Sequence, residues 1–216
     1  MRELEHDLLE MGSRSESMLA QAVESIVRLD GPLAHQVILR DDEIDDREIA
    51  IENRCLRLLA LQQPMASDLR VVGTAMKMIT DIERIGDLSV DLAKIALKIE
   101  KEMGDATAID LPKMASVART MIRDAMEAYV RRDLDLVQKV IASDDDVDEL
   151  YRHLRGQIHD RMKHHPDDVV VSSWLLLAIH HIERIADHAV NIAERVSFMV
   201  TGKMEQLANS HKSSST

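Results

Sequence analysis

Residues 82–87 read Ile82-Glu83-Arg84-Ile85-Gly86-Asp87, and a hundred positions later Ile182-Glu183-Arg184-Ile185-Ala186-Asp187 repeats five of the six. The match extends outward from there. Asp30 to Asp46, DGPLAHQVILRDDEIDD, has the same apolar and acidic pattern as Asp133 to Glu149, DLDLVQKVIASDDDVDE, at a shift of 103. Pro64 answers Pro166 at a shift of 102. The drift of three marks small deletions in the second copy, and a period of about 100 residues means one supersecondary unit used twice.

The unit is helical. Leu4, Leu8, Met11, Ser15, Met18, Ala22 and Leu29 lie along one face of a 3.6-residue period. Pro32, Pro64, Pro112 and Pro166 punctuate the chain, because proline suits a first helical turn and is excluded from helix interiors. The spacing predicts helices over 3–29, 32–62, 65–103, 111–132, 134–164 and 167–203, the third on the order of 58 Å long. The expected fold class is all-α. Two tandem pseudo-symmetric three-helix bundles, six long antiparallel helices in all, would occupy 1–106 and 107–205. Residues 206–216 have no apolar period and read as a disordered tail.

Composition agrees. Aromatic residues make up 2 % of the 216, with seven Gly and four Pro, too few strand and turn formers for a β fold. A net charge of −12 argues against nucleic acid as the main ligand, since binding there is driven by neutralising phosphates. The single Cys55 excludes an internal disulfide and fits a reducing compartment. The start, Met1-Arg2-Glu3-Leu4-Glu5-His6-Asp7, carries charges where a signal peptide needs an apolar stretch. The longest mostly apolar uncharged run, 169–182, has 14 residues, short for a bilayer. The chain reads as cytoplasmic.

The two copies share an unusual placement of carboxylates. Glu83 and Asp87 are spaced i, i+4, and Asp91 adds another four; the second copy has Glu183, Asp187 and the amide of Asn191. On the preceding helix Asp41 and Asp45 repeat the spacing, answered by Asp144 and Asp148. Residues at this spacing share a face, and like charges there destabilise a helix by roughly 0.2–0.5 kcal/mol per pair. Such pairs are ordinarily a solvated surface; their recurrence at matched places in both copies asks for a compensation. Hard cations supply one, since carboxylate oxygens suit Mg, Ca, Mn and oxidised Fe. The stripe falls about 100° round from the apolar row, at the edge of the core or on the surface rather than deep inside.

Histidine is a softer signal. His180, His181 and His188 flank the second stripe, where the first copy has Thr80, Asp81 and Leu88, and Zn or Fe could recruit one of them. Glu3-x-x-His6 is half of a di-iron bundle motif whose other half is missing. His159-Asp160 resembles the dipeptide of metal phosphohydrolases, with no counterpart in the first copy. The 13 Met, Trp174 and Cys55 read as core packing. There is no Gly-rich phosphate loop and no Ser-His-Asp order.

Gln62-Gln63-Pro64-Met65-Ala66-Ser67-Asp68-Leu69-Arg70, followed by Asp81-Ile82-Glu83-Arg84-Ile85-Gly86-Asp87, resembles the PhoU family, as does 182–195 with its E-R-I-x-D-H-A-x-N-I-A-E string. The resemblance spans nearly the whole chain. It implies two three-helix bundles in a cytoplasmic, often homodimeric protein. It also implies negative regulation of the phosphate regulon and modulation of phosphate uptake. The partners it implies are the ATPase subunit of the phosphate ABC transporter and a sensor histidine kinase. Metal ions, whether Fe, Zn, Mg or Mn, are implied at the paired acidic motifs, here Asp41/Asp45 with Glu83/Asp87 and Asp144/Asp148 with Glu183/Asp187. The chain departs from the family pattern at Asp91, against the amide at Asn191, and in reading Asp167-Asp168-Val169 where D-L-R is typical. Two other readings remain open on the residues: a metal-dependent phosphohydrolase and a metal-buffering bundle. A non-enzymatic regulator is the reading expected here.

Overall fold

The computed structural model describes residues 2–102 and 109–203. All regular structure among them is helical. In chain order the elements are α1 (Arg2–Arg28), α2 (Gly31–Leu39), α3 (Asp41–Gln62), α4 (Ser67–Lys101), α5 (Leu111–Arg131), α6 (Leu134–His164) and α7 (Val169–Thr201). A 3-10 turn, Pro166–Asp168, leads into α7.

Helix starts follow their capping chemistry. Asp30 accepts the Leu33 amide at 2.9 Å, Asp110 accepts the Lys113 amide at 3.1 Å, and Asp133 accepts the amides of Asp135 and Leu136. Each carboxylate satisfies donors that the first turn leaves unpaired. Pro32 and Pro112 sit in the first turns of α2 and α5, where a missing N–H is harmless. Gln63 and Arg132 close α3 and α5 in left-handed backbone, and Gly202 closes α7 with φ 72°.

Two expected helices are modified. The rod expected over 32–62 breaks at Arg40, whose φ of −85° and ψ of −6° end α2. Its guanidinium donates to Gln21 of α1 at 2.7 Å, and Asp41, Asp42 and Glu43 then open α3 with the acidic first turn that a helix dipole favours. The matching stretch of α6 runs unbroken. The helix expected from 167 begins instead with the 3-10 turn. The 106/107 boundary, Met103 and the tail expectation for 206–216 lie outside the described residues.

Within the first copy α4 packs against α1, α2 and α3; within the second, α7 packs against α5 and α6. The copies are joined by α4 on α7 and α1 on α5, so one apolar core runs through both. Both junctions are antiparallel. Asp81 meets Asn191 while Arg70 Nε donates to the Met199 carbonyl at 3.2 Å, and Gly12 abuts Met126 while Glu16 pairs with Arg119 at 2.8 Å. These contacts describe a pseudo-two-fold that exchanges α1 with α5 and α4 with α7. Residues 166–201 are long and apolar enough to cross a membrane by length and composition alone, contrary to the short-run reading, but half of the most apolar window is buried inside the protein. Packed by α4, α5 and α6, α7 is a core helix.

Candidate metal centres

The turn at Pro64 makes α3 and α4 neighbours, and their acidic faces meet. Asp87 stands beside both Asp41 and Glu83; Asp45 stands beside Asp41, and Glu48 beside Glu83. The Glu83 side chain is only 15 % exposed. Burial, then the charge of Asp87 and a hydrogen bond shared with it, pushes Glu83 up to about 7. Asp41 and Glu48 are also raised, by burial first and then by neighbouring carboxylates for Asp41. Thr80 Oγ1 donates to Glu48 at 3.4 Å. The near counter-charge is Arg84, 2.7 Å from Asp87 and 3.4 Å from Glu83. Asp45 is exposed at the rim.

The second copy builds the same arrangement between α6 and α7. Asp144 is pushed up to about 7 by burial, then by Asp187 and Asp148. Glu183 is raised by burial and by Asp187. Its Oε2 is buried and makes no hydrogen bond, although His180 Nδ1 lies 3.1 Å away at ion-pair distance. Asp148 is exposed at this rim. Tyr151 and His180, with ring centroids 6.5 Å apart, occupy the positions that correspond to Glu48 and Thr80.

The structure does not bring Asp91 and Asn191 to these clusters. Lys94 holds Asp91 at 3.0 Å, opposite His181 of α7, and Asn191 donates to Asp81 of α4 at 3.3 Å. Each i, i+4 step turns about 40°, so two steps carry the side chain about 80° round the helix and onto the α4–α7 junction. Of the three flagged histidines only His180 joins a cluster. His188 Nδ1 lies 3.0 Å from Asp81 Oδ1. His181 is buried with Nδ1 unpaired, and burial lowers its proton affinity against the pull of Asp91. Reading the sequence missed Glu48, which extends Asp41 and Asp45 by three more residues. It also missed Asp81, whose signal was a lone carboxylate between Ile79 and Ile82 on a buried face.

Among the described residues no three His, Cys, Asp or Glu side chains stand as a formed ligand set. The residues present do fit a cation by their chemistry. Glu83 and Asp87 share a hydrogen bond that needs a proton, and the buried Glu183 Oε2 is faced by His180 Nδ1 at 3.1 Å. Carboxylates in this state gain from a neighbouring positive charge. The first cluster offers oxygen alone; the second adds the nitrogen of His180.

A family model described as PhoU domain matches the chain twice, over 8–96 and 111–196. A phosphate-specific transport system accessory protein PhoU homologue of Clostridium acetobutylicum is 36 % identical over 208 residues, spanning 96 % of this chain and 95 % of that one. The homologue of Caulobacter vibrioides is 35 % identical, over 91 % and 86 %. The crystal structure of PhoU from Pseudomonas aeruginosa superposes with a TM-score of 0.87 at 33 % identity, covering 94 % of this chain and 97 % of that one. The phosphate transport system regulatory protein PhoU from Streptococcus pneumoniae gives 0.88 at 30 %, covering 95 % and 97 %.

Proposed function

The chain belongs to the PhoU family of phosphate transport system regulatory proteins, and from that premise we propose that it is a non-enzymatic negative regulator of the phosphate regulon and of phosphate uptake. In this reading it works in the cytoplasm as a homodimer. It joins the ATPase subunit of a phosphate ABC transporter to a sensor histidine kinase. The observation that carries the reading is the matched pair of half-buried acidic clusters, each with a carboxylate raised to about 7.

Asp41, Asp45, Glu83 and Asp87 would hold one metal site; Asp144, Asp148, Glu183 and Asp187 would hold the other. A bound Fe, Zn, Mg or Mn ion would supply positive charge and open coordination positions at each face. The chain's own part is to set half-buried carboxylates from two helices side by side. Asp45 and Asp148, exposed at the rims, are placed to meet a partner.

The test is capture of both partners by the full chain and by a variant with Glu83, Asp87, Glu183 and Asp187 changed to Ala. Loss of capture together with loss of phosphate-regulon repression supports the reading. Unchanged capture and unchanged repression remove these residues from the mechanism. Elemental analysis of protein purified without tag or chelator decides the metal.

A further inference from the structure

The α4–α7 junction is mostly apolar, and Asp81 is the residue on it with the most cross-helix polar contacts. Asp81 of α4, its side chain 9 % exposed, is held from α7 by three donors: Asn191 Nδ2 at 3.3 Å, Arg195 Nε at 3.1 Å and His188 Nδ1 at 3.0 Å. A buried charge satisfied by partners on one other helix admits a single sliding register, because any slip strands it unpaired. The pseudo-two-fold does not repeat this link. The positions equivalent to Asp81, His188, Asn191 and Arg195 are His181, Leu88, Asp91 and Ile95; Asp91 lies opposite His181, whose buried Nδ1 makes no hydrogen bond. The three-donor link to a buried carboxylate is therefore present on one side of the pseudo-two-fold and absent from the other.

This pin adjoins both acidic clusters along the chain. Asp81 lies two residues before Glu83 on α4, and His188 directly follows Asp187 on α7. From these placements we infer that Asp81 is a positioning residue: by fixing how α4 lies on α7 it couples the two acidic clusters, so that filling one changes the affinity of the other. The coupling rests on the metal reading above; the pin itself does not. Coupling of this kind is reciprocal, the same factor acting in both directions.

The test titrates metal-free full-length chain with Mn2+ by calorimetry. It compares the wild type, E83Q/D87N and E183Q/D187N, each with and without D81N. Amide hydrogen exchange across α4 and α7 is followed without metal. Emptying either cluster should change Mn2+ affinity at the other by about fivefold or more, equally in both directions. D81N should reduce that factor below about twofold while exchange near residues 78–92 and 185–199 rises at least about tenfold. R195Q, which leaves Asp81 two donors, should give an intermediate result if D81N folds poorly. D124N, which breaks the Lys139 ion pair within the second copy, should lower stability without touching the coupling. Clusters that bind independently in the wild type, or a coupling factor that survives D81N and R195Q, overturn the inference. Absence of Mn2+ binding in the wild type defeats the metal reading alone. The pin is then judged by exchange, and unchanged protection in D81N and R195Q overturns it.

Discussion

Glu83 states at one residue what the acidic faces do. Its pKa lies near 7 against an ordinary 4.5, through burial first and Asp87 second. A carboxylate raised on folding leaves stability whole below the ordinary value and removes it as pH climbs through the raised one. Metal-free protein should therefore unfold more easily at pH 8 than at pH 5, Asp144 adding to the slope from 3.8 to about 7. Glu83→Gln should remove its share, on the order of 1–2 kcal/mol after solvent screening, and denaturant midpoints at the two pH values measure it. A slope identical in wild type and variant would exclude Glu83 as a source. The acidic pairs themselves were legible because i, i+4 is a local relation. The positions of Asp91 and Asn191 were not, because accumulated rotation and the neighbouring bundle decide which face they join.

Helices read well wherever a local signal marks their ends. Pro32 and Pro112 announced where α2 and α5 begin, through a preference that needs only neighbouring residues, and Asp30, Asp110 and Asp133 cap the first turns of α2, α5 and α6. Replacing Asp133 with Ala removes the acceptor for two first-turn amides and should cost about 1 kcal/mol, read as a shift of roughly 2–4 °C in Tm for a chain of this size. No change in Tm would mean that water caps α6 as well as the carboxylate does. The break at Arg40 left no such mark. Arg40, the single residue between α2 and α3, keeps right-handed dihedrals, and its guanidinium is drawn to Gln21 on another helix, a tertiary pull that a linear pattern does not carry. Ala66, at φ 42° without being glycine, was equally silent, although Pro64 showed that the chain must turn nearby.

At the scale of the whole molecule the clusters store electrostatic repulsion that a ligand can relieve. A cation that binds only the folded chain raises stability by about 2.7 kcal/mol at a hundredfold excess over its Kd. Saturating Mn2+ should raise Tm and flatten the loss of stability above pH 6, and EDTA should restore both. A Tm indifferent to Mn2+ and EDTA would show that these carboxylates bind no such ion.

The ion pair of Glu16 with Arg119 has a consequence for how the halves recognise each other. At the shift of 103 these two residues are counterparts, and they sit where the pseudo-two-fold crosses α1 and α5. A duplicate of either half facing itself would set glutamate against glutamate or arginine against arginine, repulsion instead of attraction. Asp81 would likewise face Leu88, Asp91 and Ile95 in place of its three donors. The halves have thus diverged from self-matching into complements. Produced as separate chains and mixed, they should elute as a one-to-one heterodimer in preference to either homodimer.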